Sequence, residues 1–348
     1  MDYKILTYEQ INKTEWAKFV ASSSTGTWFQ TPEAFDFYAS QPELFEPFVL
    51  AISHQPSAVK DQALRAVCCG YVTVEKNPIK QFFTRRAIII GGPALADDAT
   101  DEEVEILMKA VHKQLQLQAI YIETRNFNDY SKWKKAFAKA GFEYQPHLNF
   151  HVDCTDKERM WERLSDNRKR QLRKQPTHTL PKEKACDLAA DVTEPDVREW
   201  YQILQELYRT KVKTPLFPLS FFMEAYKQRI GKFLLVKHEG KVIGGSMVVR
   251  DDKSVYEWFE CGLNAEYKDQ YPSVLATWAG MEYAHQCGIA RYDMMGAGEP
   301  DKPYGVRDFK AEFGGKLVEQ GRFIHIAKPM LYKMGCAGIK FLKRSSRL

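Results

Sequence analysis

Apolar positions along the chain recur either at every second residue or at three- and four-residue spacing, which separates short strands from amphipathic helices. Tyr3–Thr7 alternates as a strand. Asn12–Ser22 has helical spacing, with Ile11, Trp16, Phe19 and Val20 on one face. Thr31-Pro32-Glu33 opens a second helix, because Thr caps and Pro suits the first turn. Phe48–Ser53 and Ala66–Glu75 predict a strand pair joined by a polar hairpin loop, His54–Leu64. The Ile-rich run Arg86–Ile90 predicts a central buried strand, ended by Gly91-Gly92-Pro93. Thr100-Asp101-Glu102-Glu103 starts a helix that runs to about Leu117, with acids in its first turn. Ala119–Glu123 follows as a strand, Tyr130–Ala140 as a helix stopped by Gly141, and Phe142–Val152 as a strand pair ending the first half.

The second half begins with a charged helix, Thr155–Arg173. Helices follow at Glu194–Lys211, with Trp200, Ile203, Leu204 and Leu207 on the apolar side, and at Pro218–Ile230. Phe233–His238 and Val242–Arg250 form a hairpin, Ser254–Leu263 a strand, and Ser273–Cys287 a helix stopped by Gly288. Arg291–Met295 is a strand and Lys316–Ala327 closes the sheet. Both halves therefore run hairpin, strand, helix, strand, short helix, final strand. That order fits duplication of one mixed α/β unit, or a coincidence of common elements. The expected domains are 1–152 and 153–327, with 328–348 able to pack back on the first.

Composition changes this picture little. A hydrophobic content of 44% is enough for a core in each half, and the net charge of +5 permits an anionic partner without requiring one. Seven cysteines with no CxxC pair read as reduced thiols. With no apolar signal core and no run of membrane-spanning length, the expectation is a cytoplasmic protein.

Candidate chemistry concentrates in Gly288–Lys316. A strand there ends in a turn with three glycines and two prolines, which delivers Arg307, Phe309 and Lys310 before Gly314-Gly315 stops the segment. Composition alone equally allows an ordinary turn and a solvated lysine. Tyr256 and Trp258 alternate on a strand, with Glu257 between them on the other face. Arg168, Lys169, Arg170, Arg173 and Lys174 make a basic helical run, suited to nucleic-acid phosphates or to a solvated face. Lys328–Leu348 mixes basic and apolar residues with no acid. It fits a helix lying on an anionic membrane, at the inner membrane face, or a tail packed on the neighbouring domain. MGAGEPD does not complete GxGxxG, no phosphate-binding GxxxxGK[ST] or GxSxG elbow is present, and His and Cys spacing offers no zinc site.

The unit order resembles the GNAT acyltransferase fold, and two such units in tandem resemble the FemABX family of aminoacyl-tRNA-dependent transferases. Four segments carry the likeness. YDMMG followed by a Gly/Pro turn and FKAEFGG is similar to the family's strand-turn-FK signature. WFQTPEAF is similar to its N-terminal Gln-containing segment, IIIGGPAL to its Gly-Pro segment, and SDNRKRQLRK to its Arg-rich segment. The resemblance implies transfer of an aminoacyl group from charged tRNA to an amine of a peptidoglycan precursor or related cell-envelope acceptor, with no cofactor beyond the co-substrate, at a site in the cleft between the halves. It implies Lys310 as the oxyanion-stabilising residue, with Phe309 placing it. Lys211, Lys213, Tyr256, Trp258 and Arg307 would contact the acceptor (Arg209 is an alternative to the two lysines), and Arg168, Arg170 and Arg173 the tRNA. Tyr38 stands where the family has a phosphate-contacting Lys, and no long helical-hairpin insertion fits; only a short one fits within Thr155–Lys184. Two other readings stay open. One is an N-acyltransferase using acetyl-CoA on an envelope glycan, although neither half shows the usual pyrophosphate loop and Gly91-Gly92-Pro93 and Gln270-Tyr271-Pro272-Ser273 stand there instead. The other is a non-catalytic protein that binds tRNA or a lipid-linked sugar.

Overall fold

Local capping chemistry starts the helices of the computed structural model, which describes residues 3–54, 63–174 and 192–345. After β1 (Tyr3–Thr7), Asn12 accepts hydrogen bonds from the Thr14 and Glu15 amides and begins α1 (Lys13–Ser22). Thr31 accepts from the Ala34 amide and Pro32 takes the first position of α2 (Pro32–Ala39). β2 (Phe45–His54) and β3 (Leu64–Thr73) pair antiparallel; residues 55–62 of the expected hairpin loop lie outside the described residues. A short helix that periodicity did not signal, α3 (Pro78–Thr84), precedes β4 (Ala87–Gly91). Every residue of β4 is buried, and it runs parallel to β6, as expected of a central strand. β5 (Ala94–Leu95) and α4 (Asp101–Leu115) follow. Thr100 and Glu103 form a reciprocal capping box on α4, and buried Glu103 also pairs with Arg65 at 2.7 Å. β6 (Tyr121–Asn126), α5 (Lys134–Lys139) and β7 (Glu143–Gln145) complete this stretch.

The chain then builds β8 (Leu148–Asp153) and two helices, α6 (Lys157–Arg163) and α7 (Asp166–Arg173). One continuous charged helix was expected here. Instead the backbone turns extended at Leu164, and Ser165 caps a new helix by accepting from the Arg168 amide. Residues 175–191, where the rest of a short insertion would fall, lie outside the described residues. α8 (Glu194–Leu207) ends in a wide π-helical turn, Tyr208–Val212, before α9 (Leu219–Lys227). β9 (Lys232–His238), β10 (Lys241–Arg250) and β11 (Ser254–Gly262) form a meander. α10 (Pro272–Gln286) is buried almost all round, because sheet, α7 and neighbouring strands cover its faces. β12 (Arg291–Gly296), α11 (Gly305–Ala311), β13 (Lys316–Glu319), β14 (Arg322–Ile326) and α12 (Pro329–Ser345) end the chain.

Two sheets result, with orders β1-β2-β3-β4-β6-β14-β7 and β13-β8-β12-β11-β10-β9; β5 adds to β3 in the first. They belong to two compact units, Met1–His147 with Glu319–Leu348, and Leu148–Val318. Two strands change sides relative to the sequence reading. β8, expected to end the first half, pairs antiparallel with β12 in the second sheet. The expected closing strand Lys316–Ala327 divides at Gln320-Gly321. Its second part, β14, enters the first sheet between β6 and β7. Gly321 turns through a positive φ of 67°, and a Cβ there would lie 2.2 Å from the Tyr144 ring. The first core lies under α4 and α5, around Leu107, Val111, Trp133 and Phe137. The second surrounds α10, with Trp278, Met281 and Tyr283 against Tyr292 and Phe313.

Candidate active site

Two irregular strands set up a charged cluster in the second unit. β11 and β12 pair in parallel only from Ser254 opposite Arg291 to Tyr256 opposite Asp293. Past that point each carries a bulge. On β11, Met247 faces Phe259 while Val248 faces Glu257, so Trp258 is the extra residue. On β12, the steps from Asp293 to Gly296 outnumber those from His151 to Asn149 on β8. Met295 takes up the excess with a φ of 58°, its amide held 2.7 Å from Asp293 Oδ1.

Lys310, on α11, reaches back to this point. Its Nζ donates to Met294 O and, at 3.0 Å, to Gly296 O, the carbonyls on either side of Met295. The side chain is 8% exposed. Burial lowers its pKa, against the opposing pull of Glu257, Asp293 and Glu260. Glu257 accepts from Tyr292 Oη at 2.7 Å and Thr277 Oγ1 at 3.1 Å. Burial raises its pKa, and raises that of Glu260 to about 8, with Glu257 repelling the second charge. Glu260 Oε1 is buried without a hydrogen-bond partner. Asp293 Oδ2 lies 3.2 Å from His151 Nε2. Gly280 makes room for Tyr292: a Cβ there would lie 2.3 Å from the Tyr292 hydroxyl.

A second set of contacts fixes α11. Ser165 and Asn167 donate to Glu312 Oε2 at 3.1 and 3.0 Å, and Arg168 Nε stands 3.6 Å from the same oxygen. The Arg168 guanidinium covers the Phe309 ring at 4.5 Å and the Phe313 ring at 5.1 Å. The segments SDNR and FKAEF, separate in the sequence, are thus one clasp.

The remaining site candidates scatter. Arg168 is 5% exposed, so its expected role in meeting tRNA gives way to packing on α11, driven by the two aromatic faces and Glu312. Arg170 and Arg173 on the same helix are exposed, with Arg170 bonded to Asn167 Oδ1 and Arg173 over the Trp161 ring. Arg307 donates to the carbonyls of Ala297, Glu299 and Pro300 and so holds its own Gly/Pro turn. Tyr256 is fully buried and donates to Asp251 Oδ2 at 3.0 Å, while Trp258 packs edge-on against Phe221. The expected pairing of these two aromatics on one face fails because Trp258 is the bulge residue. Lys211 and Lys213 are exposed at the π-helical turn, Lys213 with a φ of 56°. Tyr38, in the first unit, is 1% exposed and packs in the core on Phe45 and Tyr71.

Glu257, Glu260 and Asp293 went unassigned in the sequence reading. A regular strand puts residues three apart on opposite faces, and only the bulge brings Glu257 and Glu260 together. Among the described residues, no group of three or more His, Cys, Asp or Glu is placed to hold a metal ion.

A family model described as the acetyltransferase (GNAT) domain matches residues 165–310, from the cap of α7 to Lys310. The crystal structure of FemX shares 13% identity, covers 96% of this chain and 99% of its own, and superposes with a TM-score of 0.67. A tandem GNAT protein from the clavulanic acid biosynthesis pathway shares 9% identity over 94% of this chain and 99% of its own, at a TM-score of 0.52. The fold is a tandem GNAT fold. The C-terminal domain of a putative lysylphosphatidylglycerol synthetase from Agrobacterium fabrum is similar too, at 12% identity, 94% and 96% coverage and a TM-score of 0.51. No curated protein matches the sequence. The Lys310 cluster therefore belongs to the second GNAT unit, as does the whole matched segment.

Proposed function

We propose that the chain is an acyltransferase that moves an aminoacyl group from charged tRNA to an amine on a peptidoglycan precursor or related cell-envelope acceptor. The observation that carries this reading is buried Lys310, fixed by two carbonyls at the place where β11 and β12 part. Two of its three ammonium protons are engaged there, which leaves one for an oxygen that becomes negative.

The chemistry asks little more. The acceptor amine attacks the ester carbonyl, a C–N bond forms, and the oxyanion meets Lys310. The C–O bond to the ribose then breaks, and the proton lost by the amine ends on the leaving hydroxyl. No outside reagent is needed, because the ester is already activated and the enzyme chiefly positions two substrates. Anionic neighbours offset part of the burial that lowers the lysine's pKa. In this reading Lys211 and Lys213 meet acceptor phosphates, and exposed Arg170 and Arg173 meet the tRNA backbone. The likeness to the FemX structure over nearly the whole of both chains supports it, as does the lysylphosphatidylglycerol synthetase domain, whose name joins an amino acid to a lipid.

A second reading, acyl transfer from acetyl-CoA, draws support from the family model. The first turn of α10 weighs against it. Pro272 offers no N–H and the Ser273 amide is already taken by Asn264 Oδ1 at 3.2 Å, so this helix start presents fewer donors to a pyrophosphate. The deciding assay mixes purified protein with a muramyl-pentapeptide acceptor and either a pool of charged tRNAs or acetyl-CoA, and follows acceptor mass. A gain of one amino acid with tRNA is expected. A gain with acetyl-CoA only would establish the second reading, and no gain with either would refute both for this acceptor. Lys310→Met is expected to lower kcat by about 10²–10³-fold while leaving KM for the acceptor near its original value, the pattern of a lost oxyanion donor.

A further inference from the structure

α3 and α12 lie against each other in the first unit, close enough that a Cβ on Gly335 would stand 3.9 Å from the Phe83 carbonyl. The inner side of α12 is anchored by Tyr332, whose ring meets Tyr121 of β6 at 5.5 Å. Its outer side exposes Met330 (80%) and Met334 (55%), with Lys333 beside them, and α3 exposes Ile79 (71%) and Phe82 (58%). Lys328, whose Nζ donates to Leu117 O at 2.8 Å, brings exposed Leu117 next to the same end of α12.

Large apolar side chains this exposed, grouped on two touching helices, mark an interaction surface. Its charge says what kind. From Ala327 to Leu348 the sequence has Lys328, Lys333, Lys340, Lys343, Arg344 and Arg347 and no acidic residue, and around α3 it has Lys76, Lys80 and Arg86 against Glu75, with Arg85 paired to Glu46 of β2. The side chains of Lys80 and of the residues from 338 onward lie outside the described residues, so they enter as sequence only. No described helix is long and apolar enough to cross a membrane. Apolar residues at the surface of a helix with a basic surround are the signature of one that lies in a lipid interface.

We propose that α3 and α12 form one platform that docks the protein on an anionic lipid bilayer, with Ile79, Phe82, Met330 and Met334 entering the acyl boundary and exposed Lys76 and Lys333 meeting lipid phosphates. This goes beyond the transfer reaction and does not depend on it. Each lysine or arginine near such a surface strengthens binding about fivefold, so salt must weaken it. The test is flotation of the full chain with vesicles of phosphatidylcholine containing about 30 mol % phosphatidylglycerol, and with phosphatidylcholine alone. Binding to the first, reduced by salt and at least about tenfold weaker in Phe82→Glu/Met330→Glu, is expected, since burying one large apolar side chain is worth a factor of that size. Both sites are exposed, and an unchanged thermal midpoint will show that the variant is folded. Absence of binding to either vesicle, or equal binding by the variant, would overturn the proposal. So would a dimer of the wild type in sedimentation that the variant loses, because the surface would then be a contact between copies of this chain.

Discussion

The residue that organises the site is a lysine with almost no contact with water. Its charge is stabilised by two carbonyls and three acids and opposed by burial, so its proton leaves more easily than that of a surface lysine. If the protonated form does the work, kcat/KM will fall on the alkaline side at a pH below the ordinary lysine range, and a pH–rate profile will show that limb. Glu260 carries the opposite perturbation. Its folded pKa, about 8, is above the value of an unfolded glutamate, so the folded state holds a proton that the unfolded state releases between about pH 4.5 and 8. Stability is therefore lost as pH rises through that window. Glu260→Gln should melt close to the wild type near pH 4.5 and increasingly above it toward pH 8, as scanning calorimetry can follow. A constant offset across the window would contradict the assignment.

At the scale of elements, the same physics explains what could be read from the chain and what could not. Helix starts were legible, because a cap acts on amides two or three residues away: Asn12, Thr31 and Thr100 all cap where they stand. The site's charge cluster was not, because its bulges are set by partners far along the chain, such as His151 opposite Asp293. Lys310 stands out through its motif, whereas Glu257 and Glu260 need the bulge at Trp258 to meet. Gln30 shows a related device in the first unit. β3 and β4 pair directly at Tyr71 and Val72, and beyond that Gln30 stands in for the missing rungs. It donates to Cys69 O and Ile90 O at 2.8 and 2.9 Å and accepts from the Cys69 amide at 2.8 Å. Gln30→Met keeps the volume but leaves three buried backbone groups without partners. It should cost about 2–4 kcal/mol, read as a lower midpoint in thermal unfolding.

On the scale of the whole molecule, the chain leaves the first unit after His147 and returns to it at Glu319. β14 fills the place between β6 and β7, so the first sheet is complete only with residues 322–326. A chain ending at Val318 should expose two unpaired strand edges and aggregate, while residues 148–318 hold five of the six strands of the second sheet whole and most of β13. Light scattering and circular dichroism on the two fragments will check this, and a soluble, cooperatively melting 1–318 chain would refute it. The two-unit plan was legible in the repeated order of elements. The exchange of β8 and β14 was not, since alternation marks a strand but not its partner.

The same threading orders events during synthesis. As the chain emerges from the ribosome, its first 147 residues come out with a gap in their sheet that only a strand some 175 residues further on can fill. The second unit, although encoded later, is the first to have all of its own strands available. The unit at the N-terminus is thus the last to close, and it closes with the segment that also delivers α12.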